Sequence, residues 1–194
     1  MMDNFLKYTD MVQSALATVS PLDLNAVQQE LLRIMRRRGK IFVCGNGGSA
    51  AIAEHLSCDH SKGICTDTAL RPHVIPLASN VSLLTAIAND INYESVFSKQ
   101  IEWFATSMDA LVVISSSGNS PNIVNALTTA TERHIPTIAF VGFDGGRAKS
   151  LANLSVHVNA DNYGVVEDCH QILMHFLAQS IRTTYALDMR TVKL

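Results

Sequence analysis

A chain of 194 residues is long enough to bury one sizeable core and short for two. Apolar residues make up 47% and charged residues only 16%, so part of the surface is expected to be covered, and a second subunit is the simplest cover. A net charge of −2 argues against non-specific nucleic-acid binding, and the one basic run, at 33–38, reads as a solvated helix end. Cys44, Cys58, Cys65 and Cys169 show no CxxC pairing, which fits free thiols in a reducing cytoplasm. No stretch approaches 18 apolar residues and the first residues lack a signal-peptide pattern, so no membrane association is expected.

Phe5, Tyr8, Val12 and Leu16 recur at helical spacing and predict an amphipathic helix over 3–19. Ser20 and Pro21 then supply an N-cap and a first helical residue, and Leu24, Val27, Leu31 and Ile34 form the stripe of a second helix. Gly39, after three arginines, is its predicted stop. From there short apolar runs at 40–44, 74–77, 110–114, 137–141 and 154–158 alternate with helical segments, and a long helix is predicted over 164–185. Runs apolar on both faces and separated by helices predict an α/β three-layer sandwich on a parallel sheet, as one domain over 1–194 with two helices in front.

Ligands in such sheets bind beyond the carboxyl ends of the strands. The first predicted end carries Asn46, Gly47, Gly48, Ser49 and Ala50 behind Gly45, which fits GxGxxA. A dinucleotide site would want an acid at the end of the next strand, and 77–80 reads Leu-Ala-Ser-Asn, so no nucleotide cofactor is expected. No Lys-Ser/Thr pair follows either, leaving a phosphate cradle or a purely structural turn. The second end, "SSSGNSPN" at 115–122, offers Ser115, Ser116, Ser117 and Ser120 at the start of a helix opened by Pro121. Hydroxyls and helix N-terminal amides suit a compact phosphate without a lysine. Asn89 and Asp90 close a third polar segment, which on its own reads as a turn.

His55 and Asp59 stand four residues apart and share a helix face, a spacing that suits a divalent metal or an acid–base pair, or simply an exposed pair. On the last helix Glu167, Gln171 and His175 align at steps of four, with His170 on a neighbouring face. His73, His134 and His157 read as structural.

Together "CGNGGSA", "AIAND", "ISSSGNSPN", "GFDGG" and the two spaced histidines of the last helix resemble the sugar isomerase (SIS) domain family, over about 26–181. Within it the pattern is most similar to the sedoheptulose 7-phosphate (phosphoheptose) isomerases. The resemblance implies a five-stranded parallel sheet, and a homotetramer in which residues 1–38 take part in assembly. It also implies interconversion of a ketose and an aldose phosphate, on a route to heptoses. By the same resemblance Asn46, Gly47, Gly48, Ser49, Asn89, Asp90, Ser115, Ser116, Ser117, Ser120 and Glu167 correspond to substrate positions. Asp59 and His175 correspond to the catalytic pair, and His55, Asp59, Glu167 and His175 to the ligands of a divalent metal, zinc.

Two positions depart from the family pattern. Asp59 stands where the family carries glutamate, and Glu167 where it carries glutamine. Glu167 and His175 also lie roughly 12 Å apart along their helix, so both reach one ion only with extended side chains or from different subunits. Some SIS tetramers are non-catalytic and bind a protein such as the bacterial replication initiator. Retention of both carboxylates and both histidines favours an enzyme, of this or another phosphosugar.

Overall fold

The computed structural model describes residues 1–191. Two helices, α1 (Met2–Leu16) and α2 (Pro21–Arg36), precede a sheet of β1 (Lys40–Cys44), β2 (His73–Pro76), β3 (Ala110–Ser115), β4 (Thr137–Val141) and β5 (Leu154–His157). Every pairing is parallel and the strand order is β2-β1-β3-β4-β5. The three central strands are the continuous apolar runs of the sequence, and they are buried almost end to end. The expected architecture is therefore the observed one.

Alternation along each strand feeds two cores. Ile41, Val43, Val112 and Ile114 pack with α1, α2, α3 (Gly48–Cys58) and α9 (Tyr163–Thr191). Phe42, Cys44, Leu111 and Val113 face α5 (Val81–Asp90), α6 (Ser98–Phe104), α7 (Pro121–Glu132) and α8 (Gly146–Leu151). A short α4 (Ile64–Asp67) leads from the first layer towards β2. No helix among the described residues is long and apolar enough to cross a membrane.

Several boundaries differ from the sequence reading for identifiable reasons. The first helix stops at Leu16, and Phe5 of its predicted apolar stripe lies exposed while Tyr8, Val12 and Leu16 reach the core. Ser20 does cap α2, its hydroxyl accepting from the Asp23 N–H at 3.2 Å. At the other end of α2 the left-handed residue is Arg38, not Gly39. Gly39 and Arg38 donate to the Ile34 and Met35 carbonyls, a Schellman closure. Gly39 is needed because a Cβ there would lie 2.1 Å from the Met108 carbonyl oxygen. The basic run is not merely solvated: Arg33 pairs with Glu30, Arg36 with Asp188, and Arg37 reaches the Ser107 and Asp109 carbonyls.

Candidate active site

After β1 the chain turns to one side of the sheet for β2 and then to the other for β3, opening a crevice between the loops that leave β1 and β3. Both polar loops singled out in the sequence end there. In the first, Gly47 adopts φ 55°, a left-handed conformation that glycine takes without strain. In the second, the Ser115 hydroxyl accepts from the Gly118 N–H at 3.1 Å and the Ser117 hydroxyl from the Asn119 N–H at 3.3 Å. The Ser116 hydroxyl is buried without a hydrogen-bond partner. Ser120 holds the N-cap position of α7 as expected, but its side chain makes no capping bond and stays available.

These groups line a pocket of about 150 Å³, with Asn46, Ser49, Tyr163 and Glu167 on its other walls. The "GFDGG" segment braces it from behind. Gly142 donates to the Ser116 carbonyl and Ala148 to the Gly118 carbonyl, each at 2.9 Å, and Arg147 N–H donates to the Asn119 side chain. A larger cavity of about 620 Å³ lies across Ser117, with Asp144 and Asp161 in its wall and without Ser115, Ser116 or Ser120.

The second half of the site is built on helix faces. His55 lies on α3, Asp59 opens a π-helical turn (Asp59–Gly63), and His175 comes from α9. His55 Nε2 lies 3.5 Å from Asp59 Oδ1, and His175 Nε2 lies 3.3 Å from Asp59 Oδ2. The two Nε2 atoms are 3.5 Å apart, with the rings edge to face. Gln171 Nε2 is 3.0 Å from His175 Nε2. An amide N–H only donates, so the ring nitrogen facing it carries a lone pair. Ring nitrogens of His55 and His175 and a carboxylate oxygen of Asp59 all lie within 4.8 Å of one another, a donor set that fits a divalent cation in their midst.

Glu167, expected by resemblance with these ligands, does not join that group among the described residues. Its carboxylate packs against Gly48, where an added Cβ would lie 2.2 Å from Oε2, and it faces the serine pocket. A carboxylate at the start of α3 disfavours a second anion there, which leaves the serine loop as the phosphate end and narrows the role expected of Gly47 and Gly48. Asn89 and Asp90 lie exposed at the end of α5, hydrogen-bonded to each other at 2.8 Å, and outside the pocket wall. Three groups were not anticipated. Asn122 and Tyr93 both hydrogen-bond Asn46, and Tyr163 lines the pocket. The asparagine of "SGNSPN" was visible in the sequence, but its pairing across 76 residues was not.

His60 and His170 fall elsewhere. Both are fully buried, and neither ring nitrogen of either makes a hydrogen bond of good geometry. Burial pushes each imidazole down to about 4, against weaker upward pulls from the Met174 and Val141 carbonyls. His157 is structural as read, with Nε2 2.9 Å from the Phe143 carbonyl.

Comparison with known proteins identifies the family. The profile of the SIS domain matches residues 4–142. A phosphoheptose isomerase of Desulfovibrio desulfuricans is 39% identical over 156 residues, 79% of this chain and 74% of that protein. One of Helicobacter pylori is 31% identical over 189 residues, 94% of each chain. The structure of phosphoheptose isomerase from Neisseria gonorrhoeae superposes with a TM-score of 0.84 at 30% identity, covering 94% of this chain and 96% of that one. A profile match over most of the chain, with relatives above 30% identity along nearly all of it, leaves one assignment: this chain belongs to the SIS domain family and, within it, to the phosphoheptose isomerases.

Proposed function

We propose that the chain interconverts sedoheptulose 7-phosphate and a glycero-manno-heptose 7-phosphate, as an aldose–ketose isomerase. The observation that carries this reading is the line Glu167–Gln171–His175, which has the serine pocket at one end and the His55–Asp59–His175 cluster at the other. The ends are separated by roughly 12 Å of helix. An extended seven-carbon 7-phosphate places its phosphorus about 10 Å from C1, at about 1.2 Å per bond. A pocket of about 150 Å³ suits the phosphate end alone, so the sugar extends outward along α9.

Isomerisation moves one proton from C1 to C2 and another from O1 to O2. Asp59 is the base: its carboxylate takes the C1 proton, leaving an enediolate, and returns it to C2. His175, 3.3 Å from Asp59, moves the hydroxyl proton through its Nε2 when no ion holds that nitrogen. Gln171 and His55 hold that imidazole in place. His55, Asp59 and His175 would hold the metal, zinc by resemblance, and a bound divalent ion there would act as a Lewis acid on the sugar oxygens. Ser115, Ser117 and Ser120, with the amides at the start of α7, hold the phosphate.

Exposed Met2, Phe5, Leu6 and Leu22 support an assembly, a homotetramer, in which residues 1–38 meet a neighbouring subunit. Four free thiols support a cytoplasmic setting. Incubation with sedoheptulose 7-phosphate should yield the aldose phosphate, with proton exchange from solvent at C1 or C2. Turnover of a five- or six-carbon ketose phosphate in its place would reassign the substrate. No turnover at all, together with binding to a replication initiator, would replace the enzyme by a binding protein.

A further inference from the structure

We infer that Asn122 and Tyr93 are positioning residues that fix Asn46 as a hydrogen-bond donor to the substrate. The inference rests on the isomerase reading for its kinetic arm only. Asn46 and Asn122 form a reciprocal amide pair: Asn46 Nδ2 donates to Asn122 Oδ1 and Asn122 Nδ2 donates to Asn46 Oδ1, each at 2.9 Å. The Tyr93 hydroxyl donates to the same Asn46 Oδ1 at 3.0 Å. Both lone pairs of that oxygen are therefore used, and one N–H of Nδ2 is spent on Asn122. What Asn46 has left for the pocket is a single N–H.

The two partners are held independently of any ligand. Asn122 is only 2% exposed, in the first turn of α7, and both polar atoms of its side chain are engaged with Asn46. Tyr93 opens a short 3₁₀ turn (Tyr93–Ser95) that is tied to α7 by the Asn125 amide donating to the Glu94 carbonyl at 3.2 Å. An unrestrained asparagine offers donor and acceptor alike. Here the polarity is set, so Asn46 donates to a carbonyl, an alkoxide or a phosphate oxygen and disfavours a group that can only donate. Since Asn46 shares the serine pocket, the effect falls on substrate binding more than on proton transfer.

Tyr93 is more than half exposed, so Tyr93→Phe keeps the fold and removes one bond. KM should rise about fivefold with kcat within about twofold. Asn122→Asp sets a carboxylate oxygen against Asn46 Oδ1, and KM should rise roughly 100-fold. In an Asn46→Ala background neither change should add a further loss. Side-chain amide NMR reads the positioning without turnover: the Asn46 NH₂ resonances should shift in Tyr93→Phe and lose their restrained, well-dispersed character in Asn122→Asp. Unchanged KM in both variants, or losses that persist without Asn46, would overturn the inference. A wild-type protein that isomerises no sugar phosphate would instead sink the isomerase reading, and the Asn46 resonances would still decide the positioning: shifted in the variants they uphold it, unmoved they reject it.

Discussion

The same two segments carry two pairs of histidines with opposite fates. His55 and His60 lie five residues apart across α3 and the π-helical turn, and His170 and His175 lie five apart on α9. Five residues carry a helix roughly 140° beyond a full turn, so the members of each pair face nearly opposite ways. The outer two, with side chains 47% and 41% exposed, converge on Asp59. The inner two are wholly buried, with no hydrogen bond of good geometry to either ring. Exposure leaves the first pair open to a ligand, while the core holds the second pair neutral. Residue type alone does not make a site; the face on which it falls does.

Breaking the outer pair should have the largest effect. Asp59→Ala or His175→Ala should lower kcat by about a thousandfold, with the melting temperature unchanged because both side chains are partly exposed. His55→Ala should weaken binding of an added divalent cation such as zinc, measured by titration of the dialysed protein. Asp59→Glu, which restores the family's carboxylate, should keep most of the activity. A variant Asp59→Ala that turned over normally would remove the base from the mechanism.

The inner pair should govern acid stability. In the unfolded chain these imidazoles protonate near 6.5, and in the folded chain at about 4. The unfolded state therefore binds more protons between those values. Stability is full above about pH 6.5 and falls towards pH 4, by about 1.4 kcal/mol per pH unit for each histidine. The double variant His60→Leu with His170→Leu should flatten that slope in urea melts at pH 7, 6 and 5. An unchanged slope would place the acid sensitivity elsewhere.

Smaller effects are expected where α9 meets α3. Gly48→Ala puts a Cβ against the Glu167 carboxylate, which must swing aside, and KM should rise by roughly two- to fivefold with little change in stability. Glu167→Gln, restoring the family's amide, keeps the shape of the side chain, so activity should stay within about tenfold. A loss as large as that of Asp59→Ala would move Glu167 from the substrate wall into the catalytic cluster.

The parallel sheet, its five strands and the two polar loops were legible from periodicity and composition, because burial on both faces leaves a continuous apolar run and a strand end leaves small polar residues. His55 and Asp59 could be joined because four residues share a helix face. What local sequence could not supply was any distance between segments. The union of His175 with His55, the placing of Glu167 against Gly48 rather than with the His55–Asp59–His175 cluster, and the Asn46–Asn122–Tyr93 network all join residues far apart in the chain. The burial of His60 and His170 belongs with them. Spacing within one element is set by the backbone repeat and can be read from residues alone. Contact between elements is set by how two cores pack around one sheet, and only the tertiary structure decided it.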